Sequence, residues 1–204
     1  VAPPRWLPFE VAERRFERLN LEHPEVAERV VREIESGVEV YYDRPWPLTE
    51  RFCRFLLERP ELVAGRHAFV AGAGVGMESV VVAHLARRVT INDVAPVALE
   101  LCREQLERNG IETIDLAPGP FEEAELEGVD RVVACFVVYD ETTEGAMKRL
   151  LRRTARRRIP VLLANETIGP HFEAVLESAE RPVRDLTPGG GRRFVRVGAD
   201  EPEM

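Results

Sequence analysis

The chain has 204 residues, a hydrophobic fraction of 45%, a charged fraction of 31% and a formal net charge of −8 at pH 7. These values fit a globular protein with one good core and exclude a disordered chain. The negative balance argues against broad, non-specific nucleic-acid binding, and no apolar run approaches the ~20 residues needed to cross a bilayer.

Residues 1–8, with Pro3, Pro4 and Pro8, read as an irregular arm. Val1 to Glu10 carries prolines and charges where a signal peptide carries an apolar core, so none is expected. Residues 9–20 put Phe9, Val11, Ala12, Phe16 and Leu19 on one side of a predicted helix. Pro24 starts a second helix that runs to about Ser36 and stops at Gly37. Val38 to Tyr42 alternates enough for a short strand, and Asp43-Arg44-Pro45-Trp46-Pro47 makes a loop. Thr49 is a candidate cap for a helix over 50–58 whose apolar side is Phe52, Phe55 and Leu56.

From residue 66 strands and helices alternate regularly. The predicted order is strand 67–71, helix 76–87, strand 89–92, and a helix that begins near Pro96 and stops at Asn109-Gly110. A short strand near 112–116 follows, then an almost unbroken apolar strand over 131–138, as suits a central parallel strand covered on both faces. A helix over 142–157, a strand over 159–164 and a helix over 170–179 come next. Strands 183–186 and 193–197, joined across Pro188-Gly-Gly-Gly191, form an antiparallel hairpin at one edge, and the acidic tail 199–204 frays. The predicted fold is therefore α/β: a Rossmann-like, doubly wound, seven-stranded sheet, mostly parallel with an antiparallel C-terminal hairpin. Residues 1–60 form an N-terminal helical extension and residues 61–204 the main domain. Ligands in such sheets bind beyond the carboxyl ends of the strands, where strand order reverses. That face is reached by 72–76, Asp93, 117–121, 135–140 and 165–169.

The most informative stretch lies on that face. His67–Ala71 leads into Gly72-Ala73-Gly74-Val75-Gly76, and Asp93 follows Gly72 at close to the ~20-residue offset at which a carboxylate accepts hydrogen bonds from ribose hydroxyls. The glycines let the backbone turn tightly and approach a ligand. A dinucleotide fingerprint needs its third glycine where Met77 stands. The pattern here suits an adenosine ligand without a pyrophosphate on the helix N-terminus, and S-adenosylmethionine is the obvious candidate. The alternative is a tight strand-to-helix turn beside a capping aspartate.

Other residues carry less. Cys53, Cys102 and Cys135 are odd in number and far apart, which suits a reducing compartment and a cytoplasmic location. His23, His67, His84 and His171 are as scattered, so no metal site is expected. The run Lys148-Arg149, Arg152-Arg153, Arg156-Arg157-Arg158 reads as a solvated helix face or as a docking patch for RNA or an acidic protein.

Taken together, the pattern resembles the class I S-adenosylmethionine-dependent methyltransferases. More narrowly it resembles the seven-strand protein-lysine methyltransferases acting on the electron-transfer flavoprotein β-subunit. The stretch runs from Tyr41 through Asp140, with a weaker echo over 162–172. It includes Pro45-Trp46-Pro47, Arg59-Pro60-Glu61-Leu62-Val63-Ala64-Gly65-Arg66, the glycine turn, Ile91-Asn-Asp-Val-Ala-Pro96 and Tyr139-Asp140. The resemblance implies that Gly72, Ala73, Gly74 and Gly76 wrap the methionine and ribose parts of the cofactor, and that Asp93 holds the ribose. It implies that Trp46 flanks the cofactor, that Phe121 or a neighbour faces the adenine, and that Cys135 touches it through its backbone. Tyr139 would line the acceptor channel, with Asp140 or Glu166 orienting a neutral amine beside it; taken on their own, these two acids read first as solvated loop acids or helix caps.

Two positions depart from the family pattern. Val70 stands where an acid usually helps to position the methionine amino group, which implies weaker cofactor binding or a substitute carboxylate. Phe136 stands where lysine methyltransferases of this group carry an aspartate; Asp140, Glu141 and Glu166 are the acids nearby. The acceptor implied is a protein lysine, with RNA or a small molecule as the alternative, and a non-catalytic cofactor-binding protein as the third reading. The stretch Phe136-Val-Val-Tyr139 lacks the Asn/Asp-Pro-Pro-Tyr signature of enzymes that methylate exocyclic base amines.

Overall fold

The computed structural model describes residues 2–42, 46–166 and 169–198. In chain order these form β1 (Trp6–Val11), β2 (Arg14–Leu19), α1 (Pro24–Glu35), α2 (Pro47–Glu58), β3 (His67–Ala71), α3 (Met77–Leu85), β4 (Arg88–Asp93), α4 (Pro96–Arg108) and β5 (Ile114–Pro118). There follow β6 (Arg131–Cys135), α5 (Glu141–Arg156), β7 (Val161–Ala164), α6 (Pro170–Glu177), β8 (Val183–Asp185) and β9 (Phe194–Val197).

β3 to β9 make one seven-stranded sheet in the order β5-β4-β3-β6-β7-β9-β8. The first five of these are parallel, and β9 runs antiparallel to both β7 and β8. The predicted parallel sheet with its C-terminal hairpin is thus the observed one. Strand alternation divides the core. Ala68, Val70 and Val133 face the layer of α2, α3 and α4, while Phe69, Val132 and Ala134 face α5 and α6. Strand order reverses between β3 and β6. The loops after these two strands therefore part, and the crevice opens there.

The N-terminal region differs from expectation. Residues 9–20 are not a helix. β1 and β2 pair antiparallel, with Trp6 opposite Leu19 and Val11 opposite Arg14. Leu7, Phe9 and Val11 turn inward between the exposed Pro8 and Glu10, a period of two that a helical pattern obscures. The turn is made by Ala12 (φ 48°) and Glu13 (φ 59°), both left-handed, as a two-residue hairpin turn requires. The sheet-like pair is anchored on α4: Leu19 N donates to Gln105 Oε1 at 2.7 Å, and Glu17 and Asn109 exchange two hydrogen bonds.

Residues 38–42, expected as a short strand, form none. α2 begins at Pro47, ahead of Thr49, because proline is pre-set for the first helical position. β6 ends at Cys135, short of Val138, because Phe136 turns the chain at φ 55°. The predicted loop residues 43–45, Thr167, Ile168 and the tail 199–204 lie outside the described residues.

Candidate cofactor and acceptor site

The turn from β3 into α3 is the floor of the site. Gly72 has φ 58°, and a Cβ there would lie 2.8 Å from Val137 Cγ1. Gly74 has φ 52°, with Tyr42 Cβ 3.0 Å from where its own Cβ would stand. Both positions therefore require glycine on backbone and on space. Ala73 N donates to Asn92 O at 2.9 Å, tying the turn to β4.

β4 delivers two polar side chains to the same end. Asp93 is 9% exposed; its Oδ2 accepts from Gly74 N at 2.7 Å and its Oδ1 from Ala95 N at 2.9 Å. Burial raises its pKa, and these backbone hydrogen bonds partly oppose the shift. Asn92, which the sequence reading passed over, is 1% exposed and clamps the next loop. Its Nδ2 donates to Ala117 O and to Gly119 O, each at 2.8 Å. That loop brings Phe121 alongside Gly72.

A second acid was missed by the sequence reading. Glu78, in the first turn of α3, is 4% exposed, and a Cβ on Gly76 would overlap its carboxylate. The third glycine of the motif therefore makes room for a side chain of the protein itself. Burial raises the Glu78 pKa from 4.5 to about 7, against opposing hydrogen bonds from its own amide and Thr49. The signal was present in the sequence. Met77, Ser79, Val80, Val81 and Val82 are all buried, so this turn of helix offers its acid no solvent face.

The N-terminal segment supplies the opposite wall. Tyr42 donates its hydroxyl proton to Glu33 Oε2, and Glu33 Oε1 accepts from Val97 N at 2.8 Å. This strap holds residues 41 and 42 against the start of α4. Trp46 Nε1 donates to Tyr41 O at 3.1 Å, and its ring lies tilted on Phe136 with centroids 4.3 Å apart. Tyr41 lies on Tyr139 at 4.6 Å. Two aromatic pairs thus join two distant segments, and the hydrogen bond from Trp46 to Tyr41 ties one pair to the other. Burial pushes the Tyr139 hydroxyl pKa up, with further contributions from Tyr41 and Asp140.

These walls enclose a cavity of about 960 Å³. Trp46, Gly72, Ala73, Gly74, Gly76, Asp93, Phe121, Cys135 and Tyr139 all line it, as do Glu78 and the unforeseen Tyr41 and Tyr42. Asp140 and Glu166 do not. Asp140 instead caps α5: its Oδ1 accepts from Thr143 N at 2.7 Å, and Thr143 Oγ1 accepts from the amides of Asp140 and Tyr139 at 3.1 Å. Burial alone would raise the Asp140 pKa, but the bonds from Thr143 hold it below the ordinary value. His171 pairs with Glu144 at 2.7 Å, away from the cavity.

Charge along the cavity wall is mostly negative. Glu10, Glu22, Glu39, Glu50 and Glu122 line the cavity against a single arginine, Arg18. Part of the basic run is already engaged. Lys148 pairs with Glu144 at 2.5 Å and Arg149 with Glu122 at 2.7 Å, while Arg153 donates to Ala124 O at 2.8 Å and to Glu122 O. Among the described residues no helix is long and apolar enough to cross a membrane, and no cluster of histidine, cysteine or carboxylate side chains could hold a metal.

No family model matches the chain. It is 28% identical over 114 residues to the zebrafish (Danio rerio) electron transfer flavoprotein beta subunit lysine methyltransferase. The match covers 55% of this chain and 44% of that relative, so the chain spans less than half of its length. Among solved structures, a 16S rRNA N2 methyltransferase from T. thermophilus, in complex with AdoMet and guanosine, superposes with a TM-score of 0.63 at 17% identity. That superposition covers 96% of this chain and 51% of the other. A Pyrococcus furiosus methyltransferase gives 0.60 at 17% identity, covering 85% of this chain and 97% of its own. A Pyrococcus abyssi tRNA (uracil, C5)-methyltransferase, in complex with S-adenosyl-L-homocysteine, gives 0.60 at 16% identity, covering 96% and 44%. The chain has the class I methyltransferase fold. Within that fold the cavity occupies the crevice where strand order reverses.

Proposed function

We propose that this protein is an S-adenosylmethionine-dependent methyltransferase whose acceptor is an amine on a basic protein segment, with lysine as the residue methylated. The cofactor part of the reading rests on a cradle that side chains would fill: a Cβ on Gly72 would collide with Val137, and Asp93 lies beside that cradle with both carboxylate oxygens turned to the backbone. Gly72, Ala73, Gly74 and Gly76 would hold the methionine and ribose parts, Asp93 the ribose hydroxyls, and Trp46, Phe121 and Cys135 the flanks. S-adenosylmethionine, when bound, supplies a methyl group on a positively charged sulfur.

The acceptor part rests on one observation, the acidic cavity wall around the two aromatic pairs. Glutamates lining the cavity attract a cationic side chain and repel the phosphates of RNA. Inside, the rings of Tyr41, Trp46, Phe136 and Tyr139 favour an amine that has lost its proton, because desolvation disfavours the ammonium form. They also exclude water and orient the attacking nitrogen. Asp140 serves this arrangement at one remove, by capping α5 and fixing the backbone of Tyr139. The match to a lysine methyltransferase supports the same acceptor, while two of the structural neighbours are named for RNA substrates.

Two measurements test the reading. Calorimetry with S-adenosylmethionine should show one site; absence of heat from binding would sink the enzymatic reading. Transfer of a radiolabelled methyl group to a lysate should leave label that protease removes and RNase does not. Label lost to RNase would turn the acceptor into RNA.

A further inference from the structure

The cofactor reading leaves one wall group unused. Glu78 sits in the cavity wall, is 4% exposed, and has one carboxylate oxygen, Oε2, with no hydrogen-bond partner. Among the described residues no cation is paired with it. Around it stand Thr49 and Cys53 of α2, Cys102 of α4 and Cys135 at the end of β6. The three thiols are held neutral by burial, so none of these neighbours supplies positive charge. A buried, half-partnered carboxylate is costly unless something pairs with it. Gly76 keeps open the space that its carboxylate occupies.

We infer that Glu78 binds the α-ammonium group of the amino-acid part of S-adenosylmethionine, a role that rests on the cofactor reading above. The cofactor carries two positive centres, the sulfonium and the α-ammonium. Asp93 holds the end of the glycine turn nearest β4, where the nucleoside belongs. Glu78 stands past Gly76 at the start of α3, where the chain of the amino acid would end. An ammonium there has three donors, enough to share the carboxylate with the Thr49 hydroxyl. The same carboxylate supplies the acid that Val70 does not.

The test compares two compounds with S-adenosylmethionine itself by calorimetry. S-adenosylhomocysteine carries the ammonium without the sulfonium charge, and 5′-methylthioadenosine carries neither. In Glu78→Gln the former should bind about 10- to 100-fold more weakly than to the wild type, the span of one charge-assisted hydrogen bond, while the latter changes less than about twofold. Equal losses for both compounds would make Glu78 a structural group and overturn the assignment. Loss confined to S-adenosylmethionine, with S-adenosylhomocysteine unaffected, would move it to the sulfonium and overturn it equally. If neither compound binds the wild type, the cofactor reading falls and this one with it. Should Glu78→Gln fail to fold, the wild type decides. Affinity for S-adenosylhomocysteine should rise roughly tenfold more from pH 6 to pH 7.5 than that for 5′-methylthioadenosine as the acid ionises; parallel curves overturn the assignment. Burial raises the Asp93 pKa as well, but Asp93 serves the nucleoside common to both compounds, so whatever it contributes drops out of the difference.

Discussion

Along the glycine turn the cavity wall is made of backbone, whereas across the mouth it is made of rings. On the first wall Gly74, Ala95 and Gly72 are fastened to β4 by main-chain donors, and the side chains involved are almost fully buried. On the second, Tyr41 and Tyr139 remain 40% and 38% exposed and meet ring to ring at a tilt, with their backbones belonging to segments far apart in sequence. The difference teaches that binding a common ligand part and choosing a particular acceptor are separable tasks. Sheet geometry does the first. Contacts between distant side chains do the second, and these change without touching the sheet.

The comparison can be broken most sharply at Asp93. Asp93→Ala should weaken S-adenosylmethionine binding about 100-fold, the value of two charge-assisted hydrogen bonds, as read by calorimetry. Unchanged affinity would remove the ribose role. Glu78→Gln probes the same wall without ligand. Its raised pKa means that the Glu78 contribution to stability is whole below about pH 4.5 and is lost as pH rises through about 7. The substitution should therefore raise Tm by roughly 2–6 °C at pH 8 and by less than about 1 °C at pH 4, in scans of the empty protein. On the ring side, Tyr139→Phe should lower kcat about fivefold, the worth of one neutral hydrogen bond, and leave cofactor Kd within about twofold. Asp140→Ala removes the α5 cap and should lower stability by about 1 kcal/mol, with a loss of turnover following from a loosened Tyr139. An effect on stability alone belongs to the hairpin that lines one side of the cavity. Replacing Ala12-Glu13 with Asn-Gly relieves two left-handed residues and should raise stability by about 1 kcal/mol, with cofactor affinity unchanged.

The same division explains what the sequence disclosed. The glycine turn, Asp93 and the strands beside them are local patterns, and each was legible from spacing alone. The β1–β2 hairpin was not, because Phe9, Val11, Ala12, Phe16 and Leu19 satisfy a helical period as well as a pleated one, and Ala12-Glu13 lacks the Asn-Gly that usually announces such a turn. Glu78 was overlooked because an acid in the first turn of a helix normally answers the helix dipole in solvent. Only the neighbouring buried residues betray that this one cannot reach water. The pairing of Tyr41 with Tyr139, and of Trp46 with Phe136, depends on how the N-terminal segment crosses the sheet, which no short-range pattern encodes.

Phe136 carries a consequence of its own. Left-handed backbone suits asparagine, aspartate or glycine and penalises a bulky residue by about 1–2 kcal/mol, yet here an aromatic residue holds that conformation beneath Trp46. A single change to aspartate would relax the bend and strip the indole of its partner in one stroke. This bend is therefore a hinge in sequence space: one codon separates a greasy chamber from a charged one, and the main chain already leans toward the latter.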